Sequence, residues 1–126
     1  MTEGEDITIV AIQSMVPVAV KAVEELQGAG IKPELIDPRV LIPLDKEAIV
    51  KSVRKTRKLL VVQEAPKRGS FSGEIITEVL EELNGENVLI DRVCSLNAPL
   101  GNGVAEYYVV PKKEDIVNAA LKLCSR

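Results

Sequence analysis

Residues 57–73, with the sequence RKLLVVQEAPKRGSFSG, decide the fold because they combine a strand, a polar turn and a helix start. The apolar run 59–62 is typical of a strand that is covered on both faces. Pro66 ends this strand, since proline donates no amide hydrogen bond and fixes its own φ. Ser70 or Ser72 can then cap a helix. Open α/β sheets bind ligands at the carboxyl ends of their central strands, so this turn is the first place to look for a site.

The same alternation of strand and helix extends in both directions from this stretch. Apolar runs predict further strands at 7–12, 31–36 and 88–93, and helical spacing predicts helices at 15–28, 46–56, 72–83 and 113–123. Ser14 and Asp45 are predicted to cap the first and second helices, and Asn84-Gly85 is predicted to end the third. Residues 99–103 are predicted to form a glycine-containing loop. Strands that alternate with helices at this spacing indicate an α/β fold, a three-layer α/β/α sandwich with a mainly parallel sheet. A chain of 126 residues is enough for one domain, which is expected to span 1–126.

Composition excludes several classes of function. Aromatic residues make up only 2% of the chain and the net charge is −3, which argues against a nucleic-acid-binding protein. Histidine is absent, so the commonest general base and metal ligand is missing, and no metal site is predicted. Cys94 and Cys124 have no metal-binding or CxxC spacing and are expected to be reduced. No signal peptide or membrane-spanning segment is visible, and a cytoplasmic protein is expected.

Polar residues follow the first and third predicted strands. Gln13 and Ser14 come directly after the first strand, and Gln63 and Glu64 end the third. Parallel strands place their carboxyl ends at the same edge of a sheet, so these four side chains are expected to meet in one crevice. Ser14 has no visible base that would make it a nucleophile.

Glu64 has two interpretations. It can act as a perturbed carboxylate in acid–base chemistry, or it can bond loop amides or pair with Arg68 or Arg39 in a structural role. No histidine and no second carboxylate is placed beside it by the sequence, so the structural role is favoured. No catalytic residue is assigned.

The basic turn has a separate hypothesis. GSFSG at 69–73 is neither a GxGxxG nor a Walker motif, so a simple helix cap is favoured over a phosphate loop. In a milder form of the idea, free amides at the Ser72 helix start, together with Lys67 and Arg68, hold a carboxylate or phosphate. Tyr107 and Tyr108 mark an interface or are ordinary packing residues.

Four segments carry a resemblance to a known family: ITIVAIQSMV at 7–16, IDPRVLIPLD at 36–45, KLLVVQEAP at 58–66 and VVPKKEDIVNAA at 109–120. In this order they resemble the carboxy-terminal domain of the transketolase family. The chain is most similar to the beta subunit of thiamine-diphosphate-dependent 2-oxoacid dehydrogenases, which include the pyruvate, branched-chain and acetoin enzymes.

The resemblance implies an accessory part of an enzyme. Complete beta subunits carry an amino-terminal domain that binds the pyrimidine half of thiamine diphosphate, and the corresponding segment is not in this sequence. The family's carboxy-terminal domain contributes to subunit association and to docking of the acyltransferase core. We therefore expect no cofactor on this domain alone, and thiamine diphosphate with magnesium in the parent enzyme. The implied partners are an alpha-type subunit and the acyltransferase core, in a homo- or hetero-oligomer.

The sequence departs from the family's pattern at several points. The family has glycine where Gln13 stands, histidine at Gln63 and a second glycine near Ser70, and its proline-rich stretch after the fourth strand is shorter here. The family's domain also opens with an antiparallel edge strand ahead of the strand at 7–12. The present sequence starts too late to include that strand, so an open sheet edge is expected.

These observations lead to one leading hypothesis and two alternatives. The four strands are predicted in the order second, first, third, fourth. The leading function is assembly and docking within a thiamine-diphosphate-dependent 2-oxoacid dehydrogenase or transketolase-like enzyme. The alternative is a free-standing binding module for a small anionic or regulatory ligand, and an independent enzyme is disfavoured. The candidate ligand-binding residues are Gln13, Ser14, Arg39, Gln63, Glu64, Lys67, Arg68 and Ser72.

Overall fold

The structure is a computed structural model that describes residues 1–98 and 103–126. Its elements are β1 (Ile7–Ala11), α1 (Met15–Gly28), β2 (Pro33–Ile36), α2 (Lys46–Thr56), β3 (Lys58–Pro66), α3 (Phe71–Leu83), β4 (Leu89–Ser95), α4 (Val104–Val109) and α5 (Lys113–Cys124). The strands form one sheet in the order β2-β1-β3-β4, and every neighbouring pair is parallel. The predicted fold class and strand order are therefore confirmed.

The core lies in two layers, one on each side of the sheet. Successive residues of a strand point to opposite faces. Ile7, Ile9 and Ala11 pack under α1 and α5, whereas Val10 and Ile12 pack under α2 and α3. All five are essentially inaccessible to solvent, and each fully buried isoleucine or valine contributes about 1.5–3 kcal/mol of hydrophobic stabilisation. This arrangement is the three-layer α/β/α sandwich.

One buried polar cluster ties the sheet to α2. The Thr8 hydroxyl lies 2.7 Å from the Ser52 hydroxyl and 2.7 Å from the Thr56 hydroxyl. All three residues are buried, so each hydroxyl needs a protein partner to offset its lost hydration. The cluster fixes how α2 sits on β1.

Local signals at the helix ends are only partly as predicted. Asp45 caps α2 by accepting a hydrogen bond from the Ala48 amide at 3.3 Å, and Asn84 ends α3 in the left-handed region at φ 45°. Ser14 and Ser70 also stand at N-cap positions, but neither side chain caps its helix. Their hydroxyls are used elsewhere, so the predicted serine caps are wrong.

The third strand and the region after the fourth also differ from prediction. β3 continues to Pro66, with an irregular register against β4 between Gln63 and Pro66, because this polar segment still runs beside a neighbouring strand. The short helix α4 was not predicted, since its six residues are too few to show a helical period. Most of the predicted loop at 99–103 lies outside the described residues.

The outer edge of β2 is not open. The Thr2 hydroxyl donates to the Pro33 carbonyl at 3.1 Å and accepts from the Leu35 amide at 3.0 Å, while the Glu5 amide donates to the Lys32 carbonyl at 3.0 Å. Thr2 thus meets the far end of β2 and Glu5 its near end, so residues 2–6 run antiparallel along this edge. The expectation of an uncovered edge is therefore wrong. The covering segment was not predicted because it is short and polar and carries no strand-like pattern in the sequence.

Gly4 allows this close approach. It is buried, and a Cβ atom at this position would lie 2.3 Å from the Lys32 carbonyl oxygen and 2.3 Å from the Pro33 carbonyl carbon. Only glycine lets the two backbones come this near. In a separate finding, no helix within residues 1–98 and 103–126 is long and apolar enough to cross a membrane.

Candidate functional site

The polar residues after β1 and at the end of β3 form what we call the switch crevice: Gln13, Ser14, Gln63 and Glu64. β1 and β3 are adjacent, and the Ile12 amide donates to the Val62 carbonyl at 3.0 Å, which places the two strand ends side by side. The Ser14 hydroxyl donates to the Glu64 carboxylate. Ser14 and Glu64 are therefore brought together as expected. Within the described residues, Glu64 bonds this serine and not Arg68, Arg39 or a loop amide, so the partners suggested by the sequence are not the ones observed there.

Gln13 occupies a backbone position that favours glycine. Its φ is 51°, in the left-handed region that non-glycine residues rarely adopt. This explains why the resemblance places glycine here. The side chain is exposed and borders a shallow pocket of about 260 Å³ together with Arg39 and Asp37.

Gln63 does not face Gln13 across the crevice. Its side-chain oxygen accepts a hydrogen bond from the Ser72 amide at 2.8 Å, so Gln63 caps the start of α3 in place of a serine. The expected meeting of the two glutamines is wrong because the nearer helix end offers an unpaired amide. This contact also occupies one of the amides that the anion hypothesis at Ser72 requires.

Ser72 itself is fully buried and already bonded. Its hydroxyl lies 2.5 Å from the Ser70 hydroxyl and 3.5 Å from the Cys94 sulfur. Ser72 is thus a structural link between α3 and β4, and its side chain does not face solvent.

Both Cys94 and Cys124 are free thiols, and burial raises the pKa of Cys124.

The cationic candidates lie on the surface. Lys67 and Arg68 are exposed in the turn after β3, and within the described part of the chain neither side chain has a hydrogen-bond or ion-pair partner. Arg39 is exposed as well and lies 4.0 Å from the Asp37 carboxylate. The structure therefore does not gather the candidate residues into one site.

Arg92 is a site residue that the sequence analysis missed. Its guanidinium Nη1 donates to the Lys67 carbonyl at 2.9 Å and to the Ser72 hydroxyl at 3.4 Å. The available signal was the charged pair Asp91-Arg92 inside the apolar run of β4, since buried strands seldom carry arginine. Arg92 holds the basic turn against the start of α3.

Beside Arg92 lies what we call the β4 cleft, a depression of about 490 Å³ between the end of β4 and the start of α5. Its charged lining residues are Lys67, Arg92, Lys112 and Asp115, and Ser95 lies at the end of the strand. One carboxylate oxygen of Asp115 accepts from the Lys112 amide at 2.8 Å. The cleft thus carries three cations against one carboxylate.

The basic residues near the end of α2 form ion pairs with glutamates of other elements. Arg54 and Arg57 contact the Glu86 carboxylate at 2.9 and 2.8 Å, and Lys55 pairs with Glu34. The hydrogen bond from Arg54, aided by that from Arg57, holds the pKa of Glu86 below its ordinary value. Two carboxylates thus partly compensate these three cations.

The fold and the arrangement of its strand ends match one family of domains. The family model described as transketolase, C-terminal domain, matches residues 1–116. The chain belongs to this family. It is homologous to the beta subunits of 2-oxoacid dehydrogenases.

Individual proteins show how far the similarity extends. The chain is 41% identical over 126 residues to the pyruvate dehydrogenase E1 component subunit beta, mitochondrial, of Pisum sativum, covering 98% of this chain and 35% of that protein. It is 40% identical over 121 residues to the 2-oxoisovalerate dehydrogenase subunit beta 2, mitochondrial, of Arabidopsis thaliana, covering 94% and 33%. The chain spans about one third of the length of these relatives.

A solved structure extends the comparison to three dimensions. A split-gene transketolase, described as an inactive beta4 tetramer, superposes with a TM-score of 0.82 at 30% identity, over 98% of this chain and 40% of that one. The sequence resemblance to the transketolase C-terminal domain is confirmed.

Proposed function

We propose that this chain is the carboxy-terminal domain, or a separately encoded subunit, of a thiamine-diphosphate-dependent 2-oxoacid dehydrogenase or transketolase-like enzyme, and that it serves assembly and docking. The observation that carries the proposal is the 41% identity to a pyruvate dehydrogenase beta subunit over nearly the whole chain. The proposed partners are an alpha-type subunit and the acyltransferase core. The chain acts as a single domain over 1–126.

An exposed apolar loop after β2 supports an assembly role. Val40 is 57% exposed and Ile42 84% exposed, and the loop borders a wide groove that also includes Phe71. Apolar residues concentrated on one surface are typical of protein–protein contacts. We call Val40, Ile42 and Pro43 the apolar loop.

A second apolar surface lies on α4. Tyr107 and Tyr108 are 62% and 67% exposed, and their rings meet edge-to-face at 5.6 Å between centroids. Tyrosine is enriched at protein interfaces because it combines apolar area with a polar tip. Of the two interpretations of this pair, the exposure favours the interface.

The proposal assigns no chemistry to this chain. Within residues 1–98 and 103–126, no three His, Cys, Asp or Glu side chains are grouped so that they could hold a metal ion. In the switch crevice, Ser14 bonds Glu64 and Gln63 bonds the Ser72 amide, so these groups do not fit a cofactor. As the family resemblance implies, thiamine diphosphate and magnesium are proposed to be bound elsewhere in the parent enzyme. A cytoplasmic location is part of the proposal, and imaging of a fluorescent fusion tests it.

A native pull-down tests the assembly role. The chain, tagged after Arg126, is used as bait, and captured proteins are identified by mass spectrometry. We expect a protein with a thiamine-diphosphate motif, and we expect Ile42→Asp to abolish its capture because a carboxylate would be buried in the contact. Leu121→Asp, an apolar-to-acid change on an exposed position of α5, serves as the matched control. A stable monomer that captures no such protein contradicts the proposal.

The β4 cleft favours a second candidate function, a binding module for a small anionic ligand. Its three cations lie together at a strand end, where α/β sheets bind ligands. A ligand that binds the folded state raises the melting temperature, so thermal shift against phosphates, nucleotides and 2-oxoacids tests this function. No stabilisation by any of them counts against it.

A further inference from the structure

We propose that the β4 cleft binds a phosphate monoester, with Lys67, Arg92 and Lys112 supplying the positive charge and Ser95 a hydroxyl donor. This inference rests on the second candidate function and replaces its site. The Ser72 amide is occupied by Gln63, which removes one of the helix-start donors on which the earlier anion hypothesis depends.

Charge is the first argument. The three cations come from different elements: Lys67 from the turn after β3, Arg92 from β4 and Lys112 from the residue before α5. They converge on one cleft in a chain whose net charge is −3. Asp115 is the one carboxylate that lines the cleft within the described residues, so the lining carries a net charge of about +2. A phosphate monoester, at about −1.5 to −2 near neutral pH, complements this charge better than a monocarboxylate does.

The guanidinium of Arg92 is held in place for recognition. One of its nitrogens, Nη1, is anchored to the Lys67 carbonyl at 2.9 Å and to the Ser72 hydroxyl at 3.4 Å. Its remaining donors make no hydrogen bond to any part of the chain that the structure describes. A planar guanidinium offers parallel donors that fit phosphate oxygens, and anchoring one side reduces the entropy lost on binding.

Ser95 provides an independent observation. The residue is only 3% exposed and lines the cleft, yet its hydroxyl has no hydrogen-bond partner among the residues described. An unpaired buried hydroxyl is unfavourable, and few are found in folded proteins. An oxygen of a bound anion would satisfy it after a small rotation of the side chain.

The rim of the cleft restricts the size of the ligand. The Lys112 ammonium lies 4.4 Å from the centre of the Tyr107 ring, a cation–π contact that restrains this side chain. Tyr108 forms part of the wall. A volume of about 490 Å³ lies within the usual range of small-molecule sites, so the cleft suits a metabolite-sized phosphate and not a polymer.

The test is an amide NMR titration of the chain with inorganic phosphate at constant ionic strength, with acetate in a parallel titration. We expect saturable shifts at Ser95, Leu96 and Lys112 with phosphate and much weaker ones with acetate. Lys67→Gln and Lys112→Gln should each weaken phosphate binding about threefold or more, and Arg92→Gln about tenfold or more. The two lysine variants should leave the fold intact, because neither side chain makes a hydrogen bond within the described residues.

Two further variants decide the interpretation. Arg68→Gln removes the same charge one residue away from Lys67 without touching the cleft, and should leave phosphate binding unchanged. Ser95→Ala should weaken binding about fivefold while leaving the protein as stable or more stable. Unsaturable or dispersed shifts, equal binding of acetate, or equal losses in Arg68→Gln and Lys67→Gln overturn the proposal. The pull-down does not involve phosphate, so failure of the assembly role is separately visible.

Discussion

The switch crevice and the β4 cleft are both formed at the carboxyl ends of strands, but they differ in whether their polar groups are already bonded. In the switch crevice, Ser14 bonds Glu64 and Gln63 bonds the Ser72 amide. In the β4 cleft, the Ser95 hydroxyl has no partner in the described structure. The two regions therefore share a position in the topology, and they differ in unsatisfied polar groups and uncompensated charge, which is why the ligand site is proposed at the β4 cleft.

The difference has a structural cause. β1 and β3 are the two central strands, and the starts of α1 and α3 follow them closely, so the polar groups there have partners within reach. β4 is an edge strand with a neighbour on one side only. The end of β4 and the start of α5 line an opening, and the Ser95 hydroxyl beside it has no hydrogen-bond partner within the described residues.

The largest effect is expected at Gln63. Gln63→Ala removes the cap on α3 and leaves the amide of the buried Ser72 unpaired, so the free energy of unfolding should fall by about 1–2 kcal/mol. Urea denaturation measures the change. Gln63→His keeps an acceptor and should lose less, and Gln27→Ala on the exposed side of α1 is the matched control. A loss no larger than that of the control would mean that the crevice is not built for stability.

A stabilising change is expected at Gln13. Because its φ is 51°, Gln13→Gly should relieve backbone strain and raise the free energy of unfolding by up to about 1 kcal/mol. The same substitution at Gln27, inside α1, should be destabilising because glycine weakens helices. Denaturation of the two variants side by side checks the opposite signs. A loss of stability in Gln13→Gly would indicate that this side chain makes a contact in the crevice.

The paired arginines of α2 provide a contrast with the cations of the β4 cleft. The pKa of Glu86 is lowered in the folded protein, so the Arg54–Glu86–Arg57 contacts contribute stability above the ordinary pKa of glutamate and lose it as the pH falls through the lowered pKa. Glu86→Gln should therefore be less stable than the parent at pH 7, and the difference should vanish in acid. Denaturation across this pH range tests it, with Glu81→Gln as the exposed control.

The smallest effect is expected at Lys67. Lys67→Gln should change the free energy of unfolding by no more than about 0.5 kcal/mol, because the side chain is exposed and makes no hydrogen bond or ion pair within the described residues. Thermal and urea denaturation in phosphate-free buffer check this. A larger loss would show that Lys67 has a structural role. The switch crevice and the β4 cleft would then no longer differ in whether their polar groups are already bonded.

Local and periodic signals predicted the fold well. The alternation of apolar runs gave the strands and helices, and Asp45 and Asn84 marked helix ends that the structure confirms. Each depends on residues within one or two helical turns. The strand order and family followed from motifs that span the chain.

The site was predicted less well because its contacts depend on side-chain directions set by the tertiary fold. The sequence placed Gln63 at a strand end, but it did not show that this side chain points toward the Ser72 amide. It also gave no sign that the Ser95 hydroxyl would be buried without a partner in the described structure. Arg92 was visible in the sequence as a charged residue within an otherwise apolar strand, and this pattern marks it as a candidate site residue. The sequence placed Ser14 and Glu64 in one crevice because both lie at the ends of adjacent strands, but it did not predict the hydrogen bond between them.

The segment that runs along β2 has a practical consequence for handling the protein. Residues 2–6 cover backbone groups that would otherwise recruit a strand from another molecule, and Gly4 is the point of closest approach. Trimming these residues, or fusing a bulky affinity tag ahead of them, exposes a ready template for fibrillar growth. Purification tags should therefore be placed after Arg126. Turbidity during storage would indicate that residues 2–6 no longer cover the edge of β2.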